Sequence, residues 1–253
     1  IVREYLENIK NIGVNRLSLG IQSFDNSLLK ILGRIHDASE AREAFIESRM
    51  AGFDNINLDL MYGLPTQTLR NWENSLEEAL ELEPEHLSLY ALTIDEGTPL
   101  YADIMSEKIP TPDSDLAADM YLLAEEKLEK AGYIHYEISN WAKPGRESRH
   151  NLNYWQSGSY LGIGAGAHSY FNRERFWNTA HPEEYIRRIK EDGRAVAGKE
   201  FISPEIEQAD YIILRLRLQA GLDLHEFRIR YGDDLSRLYK DQISSLKEAG
   251  LLE

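Results

Sequence analysis

The chain has no cysteine among its 253 residues, so its own side chains can build neither a disulfide nor a thiolate-held metal or iron–sulfur cluster. Cations are also scarce, with 28 Lys and Arg against 43 Asp and Glu and a formal charge of -15. Phosphate neutralisation needs clustered cations, which argues against a nucleic-acid surface. The longest apolar runs are broken by Asp, Arg or Gly within a few residues, so nothing reads as a membrane span or a signal peptide. A cytoplasmic location is the expectation, and peripheral membrane contact stays open. Repeats of fixed period and low-complexity tracts are missing too. The acidic residues gather on helical stretches such as 73–85, as a solvated face. A hydrophobic content of 42% suffices for one sizeable core and a smaller appended domain.

Arg16-Leu-Ser-Leu-Gly-Ile-Gln22 alternates and then runs apolar, and Ile56-Asn-Leu-Asp-Leu-Met-Tyr62 does the same before the breaker Gly63-Leu-Pro65. Both read as short buried strands. Helical stretches at Val2–Ile12, Ala38–Ala51 and Leu69–Leu82 stop at Gly13, Gly52 and Pro84, and a third strand is expected from His86 to Ile94. The alternation implies an α/β fold with parallel pairing through right-handed crossovers. In such a sheet the ligand lies at the carboxyl ends of the strands.

That rule singles out Gln22, Asp59 and the segment Tyr90–Thr93, with Arg34 contributed by a loop after a short helix capped by Asp25 or Asn26. A carboxylate accepts from sugar hydroxyls, an amide both donates and accepts, and a guanidinium pairs with a carboxylate, so the set suits a zwitterion carrying a ribose. A plain structural ion pair between Asp59 and Arg34 is the other reading of the same residues. His36 would then support Arg34 from behind.

Further along, Pro110 and Pro112 precede a long helix over Ser114–Ala131, whose Leu116, Met120, Leu123, Ala124 and Leu128 form a core stripe. A strand over Tyr133–Asn140 follows. A second boundary falls between Gly193 and Ser203, after which helices at Pro204–Leu218, Leu224–Tyr231 and Leu235–Ala249 are expected. Between these lies His150-Asn-Leu-Asn-Tyr-Trp155, an imidazole, two amides and two aromatics within six residues. A flat macrocycle with an open iron position needs stacking surfaces and one axial nitrogen. Equally, Tyr154 and Trp155 could simply pack while His150 bonds backbone. Gly162-Ile-Gly-Ala-Gly has the wrong spacing for a dinucleotide fingerprint. His86, His135, His181 and His225 receive no role.

The segments GVNRLSLGIQSFD, LGRIH, NLDLMYGLPTQT, HLSLYALTIDEGTPLY, YEISNWAKPG, RHNLNYW and YLGIGAGAHSY occur in that order over nearly the whole chain. Together they resemble the successive motifs of the HemN/HemW branch of radical S-adenosylmethionine (SAM) proteins. GRIH and HNxxYW resemble its haem-chaperone subgroup rather than its oxidase. The resemblance implies a partial radical SAM, TIM-like β/α barrel over 1–198 and a small C-terminal helical, winged-helix-like domain over 199–253, without its closing wing. It implies that Gln22, Arg34 and Asp59 bind SAM and that His150, Asn151, Tyr154 and Trp155 bind haem, with apo-haemoproteins as partners. Haem delivery is the implied function; oxidative decarboxylation of porphyrinogen propionates is the alternative. Family members open with a CxxxCxxC motif holding a [4Fe-4S] cluster, a GGGTP segment and a SAM-binding Glu, none of which is found here. The chain starts at Ile1 inside an amphipathic helix. The expectation is therefore a fragment whose cluster belongs to the intact protein and which performs no radical chemistry alone; a degenerate homologue that has lost catalysis is the alternative. Ser148 stands where some relatives carry Cys.

Overall fold

Short polar side chains start most of the helices. In the computed structural model, which describes residues 2–252, Asp25 accepts from the N–H groups of Ser27 and Leu28. Asp37 with Glu40 and Thr68 with Asn71 form reciprocal capping boxes, and each such cap contributes about 1 kcal/mol. The chain divides into two compact units, Ile1–Glu147 and Ser148–Glu253. The first unit runs α1 (Arg3–Asn11), β1 (Leu17–Gln22), α2 (Asn26–Ile31), α3 (Ala38–Met50), β2 (Ile56–Tyr62), α4 (Leu69–Glu81), β3 (His86–Ala91), α5 (Pro99–Met105), α6 (Ser114–Lys130), β4 (Ile134–Glu137) and β5 (Asn140–Ala142).

Its five strands are ordered β1-β2-β3-β5-β4. The pairs β1–β2 and β2–β3 are parallel, as the strand–helix alternation predicts, and β5 is antiparallel to both β3 and β4. Alternate residues Leu19, Ile21, Ile56, Leu58, Leu60, Leu87 and Leu89 pack against Phe45 of α3, Trp72 and Leu76 of α4, and Met120 and Leu128 of α6. All the helices of this core lie on one side of the sheet. Trp72 is fully buried and its indole N–H donates to the Met120 carbonyl at 2.8 Å, so this core side chain leaves no polar atom unpaired.

One ion pair ties α3 to the start of β3. Arg49 grips Glu85 with both terminal nitrogens at 2.8 Å and also donates to the carbonyls of Phe53 and Glu83. Glu85 in turn accepts from the Ile56 N–H at 3.0 Å, bringing in β2. Arg49→Met should therefore lower stability by about 2 kcal/mol, less than for a fully buried pair because Arg49 is partly solvated. Urea unfolding would show this as a lower midpoint, with Arg49→Lys recovering only part of it.

The second unit comprises α7 (Arg149–Trp155), β6 (His168–Phe171), β7 (Glu174–Asn178), α8 (Pro182–Asp192), β8 (Val196–Phe201), α9 (Pro204–Arg215), α10 (Leu224–Tyr231), α11 (Leu235–Leu238) and α12 (Lys240–Glu248). Strands β6-β7-β8 form an antiparallel sheet, extended by a bridge between Tyr160 and Tyr170. From Pro204 onward the unit is helical, as expected.

Several elements differ from the sequence reading. The single strand over Tyr133–Asn140 is a hairpin, β4 and β5, because the chain turns at residues 138–139. The strand from His86 stops at Ala91. The last helix is interrupted at Tyr239, whose φ of -115° and ψ of 31° leave the helical region. Residues 198 and 199 both lie within β8, so the boundary expected between them falls inside a strand. The three-stranded sheet is unheralded because Glu174–Asn178 and Val196–Phe201 contain no fully buried face and hence no clean alternation. Among the described residues no helix is long and apolar enough to cross a membrane.

Candidate functional site

With the helices on one side of the first sheet, its opposite face is polar by the period-two rule. Ser18, Asn57 and His86 pair across β1, β2 and β3, and Gly20, Asp59 and Ser88 form the next row. Asn57 donates one amide hydrogen to Asp59 Oδ1 at 2.7 Å and the other to Ser18 Oγ at 2.6 Å, while Ser18 donates to Asp59 Oδ2 at 3.0 Å. The Asn57 carbonyl accepts from Ser88 Oγ at 3.1 Å and faces His86 Nδ1 at 2.6 Å. Since that oxygen only accepts, His86 carries its proton on Nδ1, and Nε2 accepts from the Tyr136 hydroxyl at 2.7 Å. The result is a directed chain, Tyr136 to His86 to Asn57 to Asp59.

His86 and Asn57 are buried, whereas Asp59 is half-buried. Burial pushes the His86 imidazole down to about 3, and the neighbouring Arg16 guanidinium adds to the effect. Burial likewise lowers Arg16 from its ordinary value, partly offset by Tyr136, Asp59 and Tyr90. The neutral imidazole locks Asn57, and Asn57 fixes the carboxylate of Asp59 while leaving its remaining lone pairs outward.

Gln22 reaches the same face by an irregular route. It sits at the end of β1 with φ 68°, where the register skips from Gly20 opposite Asp59 to Gln22 opposite Leu60. Its amide folds back over Gly20, so closely that a Cβ on Gly20 would stand 2.9 Å from Gln22 Nε2. A side chain on Gly20 would push the Gln22 amide off this position, so the glycine opposite Asp59 leaves room for it. Arg34 is exposed in the loop between α2 and α3. The adjoining Ile35 and His36 line a cavity of about 410 Å³ along the β1 edge, together with Ser18, Gly20 and Ile21.

Three points differ from the sequence expectations. Asp59 lies in the middle of β2, one register row below Gln22, rather than at a strand mouth. It forms no ion pair with Arg34 among the described residues, because Ser18 and Asn57 already hold both its oxygens. His36, expected behind Arg34, bonds the Ile21 carbonyl at 3.1 Å. The sequence reading also passed over Ser18, Asn57, His86 and Tyr136. The signal was present: R-x-S-x-G, N-x-D and H-x-S place polar residues two apart in three successive strands, which marks a shared polar face.

In the second unit, Ser148 caps α7 by accepting from the Asn151 N–H. The helix spacing puts His150 beside Tyr154, ring centroids 4.9 Å apart and edge-on, with His150 exposed. Tyr154 and Trp155 face a separate cavity of about 340 Å³, and Asn151 is half-buried on the same helix. No cluster of three or more His, Cys, Asp or Glu able to hold a metal ion is found among the described residues. A [4Fe-4S] cluster therefore does not fit the donors of this chain; Gln22 and Asp59 lie in adjacent register rows at the end of β1 and in β2, and Arg34 lies in the exposed loop between α2 and α3.

Comparison with known proteins agrees with this architecture. The family model for the radical SAM superfamily matches residues 1–79, and that for the HemN C-terminal domain matches residues 207–253. Over 249 residues the chain is 39% identical to the heme chaperone HemW of Bacillus subtilis (strain 168), covering 98% of this chain and 66% of that protein. It is 37% identical to HemW of Mycobacterium tuberculosis (strain CDC 1551 / Oshkosh), covering 87% of this chain and 57% of that one. The chain thus spans less than two thirds of the length of these relatives. Coproporphyrinogen III oxidase (HemN) of Escherichia coli, described as a radical SAM enzyme, superposes with a TM-score of 0.81 over 99% of this chain and 60% of its own, at 21% identity. At that identity the likeness concerns the fold. Fold and matched models together define a radical SAM protein with a mixed α/β, partly parallel sheet and a HemN-type C-terminal domain. Within that class, the chain belongs to the HemN/HemW family.

Proposed function

We propose that this protein binds haem and delivers it to apo-haemoproteins, and that its β/α unit binds SAM through Gln22, Arg34 and Asp59. The observation that carries the haem reading is the exposed His150 imidazole, set edge-on against Tyr154 on a helix that continues into Trp155, in a chain whose relatives are named heme chaperones. An exposed imidazole with an aromatic neighbour supplies an axial nitrogen beside a stacking surface, and the Asn151 amide offers a polar contact at the ring edge. For SAM, Asp59 accepts from the ribose hydroxyls, Gln22 meets the nucleoside with its amide, and Arg34 pairs with the amino-acid carboxylate. SAM bound there supplies an activated sulfonium carbon. The family implies a [4Fe-4S] cluster as well, and this chain offers it no thiolate.

Haemin titration tests the haem reading. The wild-type chain should give a saturable, red-shifted Soret band, and His150→Ala should weaken binding about tenfold, the worth of one strong polar contact. Identical spectra for the two proteins would reject His150 as the ligand. Absence of any Soret change would reject the reading altogether.

A further inference from the structure

We propose that Tyr136 and His86 are positioning residues of the nucleoside site: out of reach of any ligand, they decide through the Asn57 amide whether Asp59 is presented as a braced carboxylate. The inference rests on the SAM reading of Asp59 and adds to it two residues that lie behind the binding face.

An asparagine amide is two-faced, and here all four of its hydrogen-bonding positions are taken. Its hydrogens go to Asp59 Oδ1 at 2.7 Å and Ser18 Oγ at 2.6 Å, and its oxygen receives His86 Nδ1 at 2.6 Å and Ser88 Oγ at 3.1 Å. Asn57 is 2% exposed and His86 is fully buried, so water does not stand in for a missing partner. Turned over, the amide would set its oxygen against Asp59 Oδ1, acceptor facing acceptor. Asp59 would lose one donor and share the single hydrogen of Ser18 with a new competitor. On its other side, however, the turned amide is self-consistent. It needs only that His86 carry its hydrogen on Nε2, which leaves an Nδ1 lone pair to accept from the amide. Imidazole tautomer and amide orientation therefore change together, as one element with two states.

Tyr136 selects the state. Its hydroxyl lies 2.7 Å from His86 Nε2, and a hydroxyl in that place either donates or accepts. The Arg16 guanidinium is close enough to interact electrostatically with both Tyr136 and His86. A cation beside a hydroxyl draws the oxygen lone pairs toward itself and turns the hydrogen away, here toward Nε2. It also opposes a second positive charge on the imidazole. Both effects keep the hydrogen of His86 on Nδ1 and the Asn57 hydrogens on Asp59 and Ser18. Tyr136 comes from β4, His86 from β3 and Asn57 from β2, so three strands converge on one carboxylate.

The test is a double-mutant cycle in the 253-residue chain at pH 7. It is read by calorimetric titration with SAM and by the ¹⁵N resonances of the His86 ring, assigned among the seven histidines by their loss in His86→Asn. In the wild-type chain Nδ1 should be the protonated nitrogen. Tyr136→Phe should populate the other tautomer and weaken SAM binding about fivefold to tenfold. His86→Asn offers an amide hydrogen where Nδ1–H stood and has no tautomer to choose, so it should bind SAM within about threefold of wild type. Tyr136→Phe added to it should weaken binding no further. His86→Leu, without any donor, should lose about tenfold. A purely structural role for Tyr136 would give the same loss in both backgrounds and leave the tautomer unmoved. Should Tyr136→Phe fail to fold, His86→Asn against His86→Leu decides, and equal affinities overturn the inference. An Nε2-protonated ring in the wild type, SAM affinity unchanged by Tyr136→Phe, or an undiminished Tyr136→Phe loss beside His86→Asn also overturns it, with the SAM reading left standing. A wild-type chain that binds no SAM overturns both.

Discussion

Asp59→Ala should weaken SAM binding about a hundredfold and leave the fold intact. The carboxylate is held by Asn57 and Ser18 with lone pairs to spare, and two charge-assisted hydrogen bonds to a ribose diol contribute about 3 kcal/mol together. Stability should fall by less than about 1 kcal/mol, because Asp59 is half-exposed and Asn57 and Ser18 still bond each other at 2.6 Å. Asp59→Asn keeps the shape and loses the charge, so a loss near tenfold is expected. Isothermal titration of SAM into the three proteins, beside their thermal unfolding, makes the comparison. Affinities equal within about twofold would remove Asp59 from the site and with it the SAM reading of this face.

The second large effect is on acid stability. His86 is completely buried, accepts from Tyr136 and donates to Asn57. Its protonation is pushed to about 3, chiefly by desolvation and further by Arg16. In the unfolded chain a histidine takes up its proton near pH 6.5. Between those limits the unfolded state binds more protons, so the contribution of His86 is full above about pH 6.5 and is lost progressively as the pH falls toward 3. The loss between pH 7 and 4.5 amounts to about 2–3 kcal/mol. Protonation would also turn Nε2 from acceptor to donor, against the hydroxyl hydrogen of Tyr136. His86→Gln removes the titration and should flatten the pH dependence by that amount, whatever it does to stability at pH 7. Urea unfolding of both proteins at pH 7 and 4.5 measures the difference, and parallel losses would show that His86 is not the acid-sensitive group.

The helices and parallel strands of the first unit were legible because burial on one face writes itself into the sequence as Leu, Ile and Val at period two and as stripes at period 3.6. Arg16 to Gln22 and Ile56 to Tyr62 are clear cases. Strands β6, β7 and β8 were not legible, since half-exposed strands carrying Arg, Glu and Lys have no apolar face to display. At the proposed site, the residue types Gln22, Arg34 and Asp59 are candidates from the sequence, but their geometry is not. The sequence does not announce that Gln22 adopts φ 68° and lies over Gly20. Nor does it say which partner Asp59 takes, because both Arg34 and Asn57 satisfy a carboxylate on paper. His86 was set aside for want of neighbours in the chain; its neighbours come from β2 and from Tyr136, 50 positions away.

Composition and motif order alone determined that no iron–sulfur thiolate is available in this chain, that its fold is α/β with parallel strands, and that its relatives are HemN-like. Those properties depend on which residues are present and on local periodicity. Tertiary structure alone decided that the polar sheet face is wired from Tyr136 to Asp59 and that Asp59 is free of Arg34. Hydrogen-bond partners across strands and turns are chosen by three-dimensional register and competition between donors, which a linear order of residues does not encode.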